Sequence, residues 1–461
     1  MAIGPMGWGV AACLLVLLCA GAATARPAGL PRLKVSENGR FLVTEEGKPF
    51  FWLGDTAWLL FARLSKDEAW HYLKARAAQG FTVIQAMTVP WDARHVPNAA
   101  GELAFLDGDP AKPNERYFAH VDAVVDVAVR LGLYMGLLPT WGDAWNPWEG
   151  GGELLSPESA EVYGEFLGRR YRDRPVIWIL GGDRNPENER HVATVRALAR
   201  GLRRGDGGRH LMTFHPSGWS SSSRWFHGDD WLASNMIQSG HSTRNARNYE
   251  LIAADYARTP AKPCLDGEAD YEDHPVDWKP ENGYFDDYDV RKTAYWAVFA
   301  GAHGHTYGCN DVWQFYRTGG QPETNARTPW REALLLPGAG QMRHLRALME
   351  SRPFLTRVPD QSLLVGDARR GPCHVQATRD ASGSYAMLYV PTAGQTVTVD
   401  TRELSGKRLK AWWYDPRTGK ATALKDDFLV GGKLEFTTPP EGPDWVLVLD
   451  DAAKRYPKPG S

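Results

Sequence analysis

Cysteine is scarce, with five residues in a chain of 461. Cys13 and Cys19 fall in an apolar N-terminal run, and Cys264, Cys309 and Cys373 remain, odd in number and without CxxC spacing. A disulfide-built scaffold is thereby excluded. No charge sign dominates: 53 Lys and Arg stand against 55 Asp and Glu, a net charge of −2, which argues against a general nucleic-acid or membrane-surface binder. After the first core strand, Leu53-Gly54-Asp55-Thr56 takes the place of a glycine-rich phosphate loop. There is no G-x-S-x-G elbow and no zinc-protease signature. Beyond the N-terminus no apolar run is long enough to span a bilayer.

Tryptophan is abundant, with 19 residues. Many stand where strands are expected to end, among them Trp58, Trp91, Trp141, Trp145, Trp219 and Trp313. Some of these fill a core. In loops at one rim, their planes suit the C–H faces of sugar rings.

The N-terminus reads as an export signal over residues 1–25. Its apolar segment Val10 to Ala22 is too short to cross a membrane, and Ala23-Thr24-Ala25 is a small-residue cleavage pattern, although the segment before it lacks Lys and Arg. A secreted or periplasmic protein without a membrane anchor is expected. A leader and a hairpin around Asn38-Gly39 occupy 26–48.

From residue 49 to 355 one unit recurs: a short apolar strand, a polar or aromatic loop, then an amphipathic helix. The strands are read at Pro49 to Gly54, Phe81 to Met87, Leu133 to Leu138, Val176 to Leu180, Leu211 to Phe214, Ala233 to Ile237, Cys264 to Glu268 and His305 to Gly308. Ser65 with Glu68 forms a capping box before the first long helix. This alternation predicts an α/β fold, a (β/α)8 TIM barrel. Cys264 and Cys309 then lie on neighbouring strands; a disulfide between them is conceivable, and burial as free thiols is the expectation. From 356 to 451 short alternating runs, starting with Ser362 to Val365, predict a small antiparallel β-sandwich. Residues 452–461 read as a polar tail without order.

In such a barrel the active site lies at the C-terminal ends of the strands. Asp183 follows the fourth strand after two glycines, and Glu268 ends the seventh. Two carboxylates facing one another across that mouth are what glycosidic cleavage requires: one protonated to meet the leaving oxygen, one ionised at the anomeric carbon. The alternative is structural, with Asp183 capping the next helix and Glu268 buried in an ion pair. Asp55 and Trp58 are read as sugar-binding, with helix capping an equal prospect for Asp55. Trp91 and Trp141 are read as ring platforms, His215 and Gln238 as bonding the substrate or orienting Glu268, and Asn310 and Trp313 as pocket wall. His303 and His305 share a strand face without a third ligand at metal-like spacing, so neither a metal nor a cofactor is expected.

The stretches Phe51-Trp52-Leu53-Gly54-Asp55-Thr56-Ala57-Trp58, Ile179-Leu180-Gly181-Gly182-Asp183-Arg184-Asn185, Leu265-Asp266-Gly267-Glu268 and Tyr307-Gly308-Cys309-Asn310-Asp311-Val312-Trp313 together resemble the apiosidase-like glycoside hydrolases. In that family a barrel precedes a collagen-binding-type β domain. The resemblance implies a retaining hydrolase of plant or microbial polysaccharide side chains, apiose-bearing pectic glycans among them, with Asp183 as acid/base and Glu268 as nucleophile. Many retaining barrels of the wider clan carry Asn-Glu where this chain has Gly182-Asp183. The shorter aspartate then has to reach from a closer backbone, which the glycines permit. The expected partner is an oligo- or polysaccharide, not a nucleic acid. The competing reading is a carbohydrate- or matrix-binding protein on a degenerate barrel that no longer cleaves.

Overall fold

The computed structural model describes residues 1, 2, 4, 29–149, 151–366, 368, 370–425 and 428–461. The expected export signal, apart from Met1, Ala2 and Gly4, lies outside the described residues, as do Cys13 and Cys19.

A hairpin of Leu33–Val35 and Leu42–Thr44 leads into the barrel. The eight barrel strands are β1 (Trp52–Thr56), β2 (Val83–Met87), β3 (Tyr134–Leu138), β4 (Val176–Gly181), β5 (Met212–His215), β6 (Asn235–Gln238), β7 (Cys264–Glu268) and β8 (Gly304–Cys309). Each matches an expected strand. All eight are buried on both faces, as parallel strands under a ring of helices must be. They pair in parallel in the order β5-β4-β3-β2-β1-β8-β7-β6, and a bridge between Met212 and Leu232 brings the two ends together. The result is a nearly closed barrel.

The outer helices are α1 (Lys66–Ala78), α2 (Glu115–Arg130), α3 (Pro157–Tyr171), α4 (Glu189–Asp206), α5 (Asn248–Tyr256), α6 (Asp287–Phe299) and α7 (Pro337–Glu350). Ser65 and Glu68 close the expected capping box on α1, and Asp286 caps α6. Between β5 and β6 the helix is reduced to the single turn Ser223–Phe226, after a short strand, Ser220–Ser221, that pairs with β6.

The C-terminal part holds β9 (Arg357–Pro359), β10 (Gln376–Asp380), β11 (Tyr385–Val390), β12 (Thr396–Asp400), β13 (Arg408–Asp415), β14 (Lys420–Ala423), β15 (Lys433–Thr437) and β16 (Trp445–Asp451). One antiparallel sheet runs β9-β10-β11-β16-β13-β14, and β12 pairs with β15 in a second. Tyr385, Met387 and Tyr389 of β11 join the barrel's core, whereas Ala386, Leu388 and Val390 join the core between the two sheets. The period of two thus gives this strand two apolar faces.

Two local expectations, on Ser362 to Val365 and on the tail, are corrected. Ser362 to Val365 is not a strand: Gln361–Leu363 form a 3-10 turn capped by Asp360, and only Leu364 bridges to Val399. The tail after Asp451 packs down, with the Tyr456 hydroxyl 2.8 Å from Ser384 Oγ and the Arg352 guanidinium 5.0 Å from its ring centroid. Cys264 and Cys309 are buried and unpaired, and Cys373 is free as well. Among the described residues no helix is long and apolar enough to cross a membrane.

Candidate active site

β4 ends in three consecutive left-handed residues, Gly181 (φ 88°), Gly182 (φ 115°) and Asp183 (φ 52°). A Cβ at Gly181 would meet His215 O at 2.4 Å, and one at Gly182 would meet the Trp141 ring at 2.6 Å. The two glycines therefore let this backbone lie directly against its neighbours and carry Asp183 to the mouth of the barrel. Gly182 N–H donates to His215 O and Gly142 N–H donates to Gly182 O, both at 2.9 Å, which fixes the turn between the β5 and β3 loops. A left-handed aspartate costs about 1–3 kcal/mol and survives where its surroundings impose it.

Glu268 closes β7. His215 Nε2 lies 3.0 Å from its Oε2, and His241 Nε2 lies 3.0 Å from its Oε1. Burial raises the pKa of this carboxyl, but hydrogen bonds and positive charge from His215 and His241 outweigh burial and bring it down to about 2. Asp183 moves the other way. Burial, reinforced by repulsion from Glu268, pushes it up to about 6, against the pull of His215, Gln238 and His241. One site thus pairs an ionised carboxylate with a carboxyl that holds its proton in mild acid, the division that acid-assisted displacement at a sugar requires.

A cavity of about 580 Å³ surrounds the pair. Trp58, Trp91, Trp141, Gln238 and Trp313 line it. Trp58 and Trp141 meet edge to face with centroids 5.0 Å apart, and Trp58 Nε1 donates to Tyr271 Oη at 3.1 Å. His215 is fully buried against Trp58 and Trp141, behind the wall, and reaches Glu268 from there. Another cavity, of about 510 Å³, opens at Tyr134, Val176 and Leu211, the opposite end of the strands, away from both carboxylates.

Two sequence-derived assignments are corrected. Asp55 does not reach the mouth: it is wholly buried, and its Oδ2 accepts from Arg76 Nε at 2.7 Å and from the Tyr72 hydroxyl at 2.5 Å, both on α1. Strand alternation turns Asp55 outward, toward the helices, so it neither binds sugar nor caps a helix. Asn310 is also buried. It accepts from Trp313 Nε1 at 3.2 Å and donates to Thr324 O at 3.0 Å, so it supports two wall residues without being wall itself.

His241, Tyr271, His274 and Trp278 also line the cavity around Asp183 and Glu268 and are given no role by the sequence. They come from the loops after β6 and β7, which carry no periodic pattern. The His241 ring lies 4.4 Å from both the Tyr271 and the His274 ring, centroid to centroid. Burial, with the nearby His241 charge, lowers His274 to about 3, so it stays neutral beside Glu268. His303 and His305 are buried in the barrel, where burial lowers both to about 3.

Comparison with known proteins adds to this geometry. Residues 36–356 match the family model "Apiosidase-like, catalytic domain", and residues 358–450 match "Putative collagen-binding domain of a collagenase". A solved glycoside hydrolase is 36% identical, with a TM-score of 0.85 over 93% of this chain and 98% of its own. A glycoside hydrolase family 5 structure from Bacteroides vulgatus ATCC 8482 is also 36% identical, with a TM-score of 0.86 over 93% of this chain and 95% of its own. No curated protein matches the chain.

Proposed function

Because this chain belongs to the apiosidase-like glycoside hydrolases, we propose that it is a retaining enzyme working by double displacement, with Glu268 as nucleophile and Asp183 as acid/base. The observation that carries the assignment is that Glu268 and Asp183 line one cavity, with His215 and His241 each 3.0 Å from an oxygen of Glu268. Glu268 attacks the anomeric carbon as Asp183 protonates the departing oxygen. Asp183, now a carboxylate, then draws a proton from the water that releases the sugar. His215 and His241 hold the nucleophile ionised and aimed. Retention calls for the two carboxyl groups to stand about 5–5.5 Å apart. The tryptophan-lined cavity suits a sugar ring.

The substrate we propose is a polysaccharide side chain, with apiose-bearing pectic glycans first because of the family, and the place of action is outside the cell or in the periplasm. The competing reading, a binding protein that no longer cleaves, is disfavoured by the pair itself. A degenerate site has no need of a carboxylate held down by two imidazoles beside a second one raised by burial. Incubating the purified protein with pectic oligosaccharides and analysing the products tests the proposal; sugar binding without cleavage across the panel would favour the other reading.

The pH dependence follows from the same pair. Below about 6 Asp183 keeps the proton the first step needs, and above about 2 Glu268 is ionised. For a poor leaving group, kcat/KM should therefore fall as the pH rises past about 6, while its acid limb lies near the pH of acid unfolding. A 4-nitrophenyl glycoside, whose leaving group needs less protonation, should show a weaker alkaline fall. Identical alkaline limbs for both substrates would remove Asp183 from the acid role.

A further inference from the structure

Beside the main cavity lies a side chamber of about 250 Å³ that shares Trp91, Asp143 and Trp148 with it and extends to Arg94 and His95. These residues follow β2 and β3, next to the β4 turn that carries Asp183. They lie away from β7 and Glu268 in the strand order. We propose that this chamber is the leaving-group subsite and takes a second sugar residue, with Trp148 as its platform and Asp143 as the carboxylate that reads one of its hydroxyls. The proposal rests on the double-displacement reading above, because the group that departs must sit on the side of the proton donor.

Trp148 is unusual for its size, with 63% of its surface exposed. The Arg184 guanidinium lies 3.7 Å from its ring centroid, and Arg184 Nε donates to Asn146 O at 2.8 Å. A cation thus braces one face of the indole and leaves it ordered before any ligand arrives, which lowers the entropy lost on stacking. Arg184 is also the residue after Asp183, so the platform and the proton donor share one rigid turn. Its tie to the next loop, Gly142 N–H to Gly182 O, adds to that rigidity.

Asp143 stands where the two cavities join. Its side chain is partly exposed there, so its carboxylate can accept from a hydroxyl of a sugar on Trp148, whereas a nitrophenyl ring offers no such donor. An aromatic plane with one acceptor at its edge is the pairing by which proteins hold a sugar ring. Burial raises Asp143 to about 6, partly opposed by Arg184, so it is an acceptor at neutral pH. His95 is already paired with Asp92 Oδ1, and Arg94 donates to Glu153 O; of the chamber's two carboxylates, Asp143 is the one that also lines the main cavity.

The test compares 4-nitrophenyl apioside with an apiose-bearing pectic oligosaccharide on the full-length enzyme and three variants. Trp148→Ala and Asp143→Ala should each lower kcat/KM for the oligosaccharide about tenfold more than for the aryl glycoside, mostly through KM. Trp148→Phe should restore most of the loss. Equal effects on both substrates, or none on either, would overturn the assignment. Glu268→Ala run alongside keeps the two readings apart. If that variant retains activity, the double-displacement reading falls; if it is inactive and the ratio between substrates does not move in the other variants, only the subsite falls.

Discussion

Replacing Glu268 with Ala is expected to cut kcat/KM by at least about 10⁴-fold, because the bond-forming atom itself is removed. The loss should appear equally with good and poor leaving groups, since both require the glycosyl-enzyme. Asp183→Ala should behave differently. With an activated aryl glycoside the first step survives, the second is slowed for want of a base, and the covalent intermediate accumulates. Azide separates the two roles further. In Glu268→Ala it enters on the side the carboxylate has vacated and gives an inverted glycosyl azide. In Asp183→Ala it attacks the glycosyl-enzyme and gives a retained one. Stereochemical analysis of the two azides checks the assignment, and the same anomer from both variants would refute it.

The largest stability effect is expected outside the cavity's lining, where the barrel meets the β domain. Arg291 on α6 donates from Nε and Nη2 to the two oxygens of Asp444 at 2.8 and 2.7 Å, and the Tyr389 hydroxyl donates to the same carboxylate at 2.9 Å. Both charged residues are fully buried. Arg291 Nη1 also meets Asp287 Oδ2 at 3.0 Å. Removing Asp444 therefore leaves the buried guanidinium only partly compensated, at the lower end of the about 3–5 kcal/mol that breaking a buried pair costs. Asp444→Ala should lower the denaturant midpoint accordingly, and the double replacement Arg291→Met with Asp444→Leu should recover much of the loss. Because β11 gives one face to the barrel's core, the two parts should unfold in one transition. Separate transitions in denaturant, or an Asp444→Ala midpoint equal to wild type, would show the β domain to be an independent module tethered to the barrel.

The barrel was legible because its signal is repeated: eight apolar runs, most of them followed by a long helix, leave little freedom in how they assemble. Asp183 and Glu268 were found by the same logic, as the acidic residues that end the fourth and seventh runs. Sequence reasoning failed where a residue's direction mattered more than its position. Asp55 and Asn310 stand at strand ends, yet one faces α1 and the other lies behind Trp313. Alternation along a strand buried on both faces cannot be read from polarity, since neither side is wet. His274 and Trp278 belong to the loop after β7, whose path is set by contacts with His241 and not by any repeat. The order of the C-terminal tail depends on Tyr456 finding Ser384 and Arg352, partners remote in sequence.

Double displacement requires Glu268 to form a covalent bond to the sugar, and the anomer first released reports on that bond. Proton NMR during the first turnovers of an apiose-bearing pectic oligosaccharide, before mutarotation, should show the product with the configuration of the substrate. An initial product of inverted configuration would mean that water attacks directly, and would contradict the role given to Glu268.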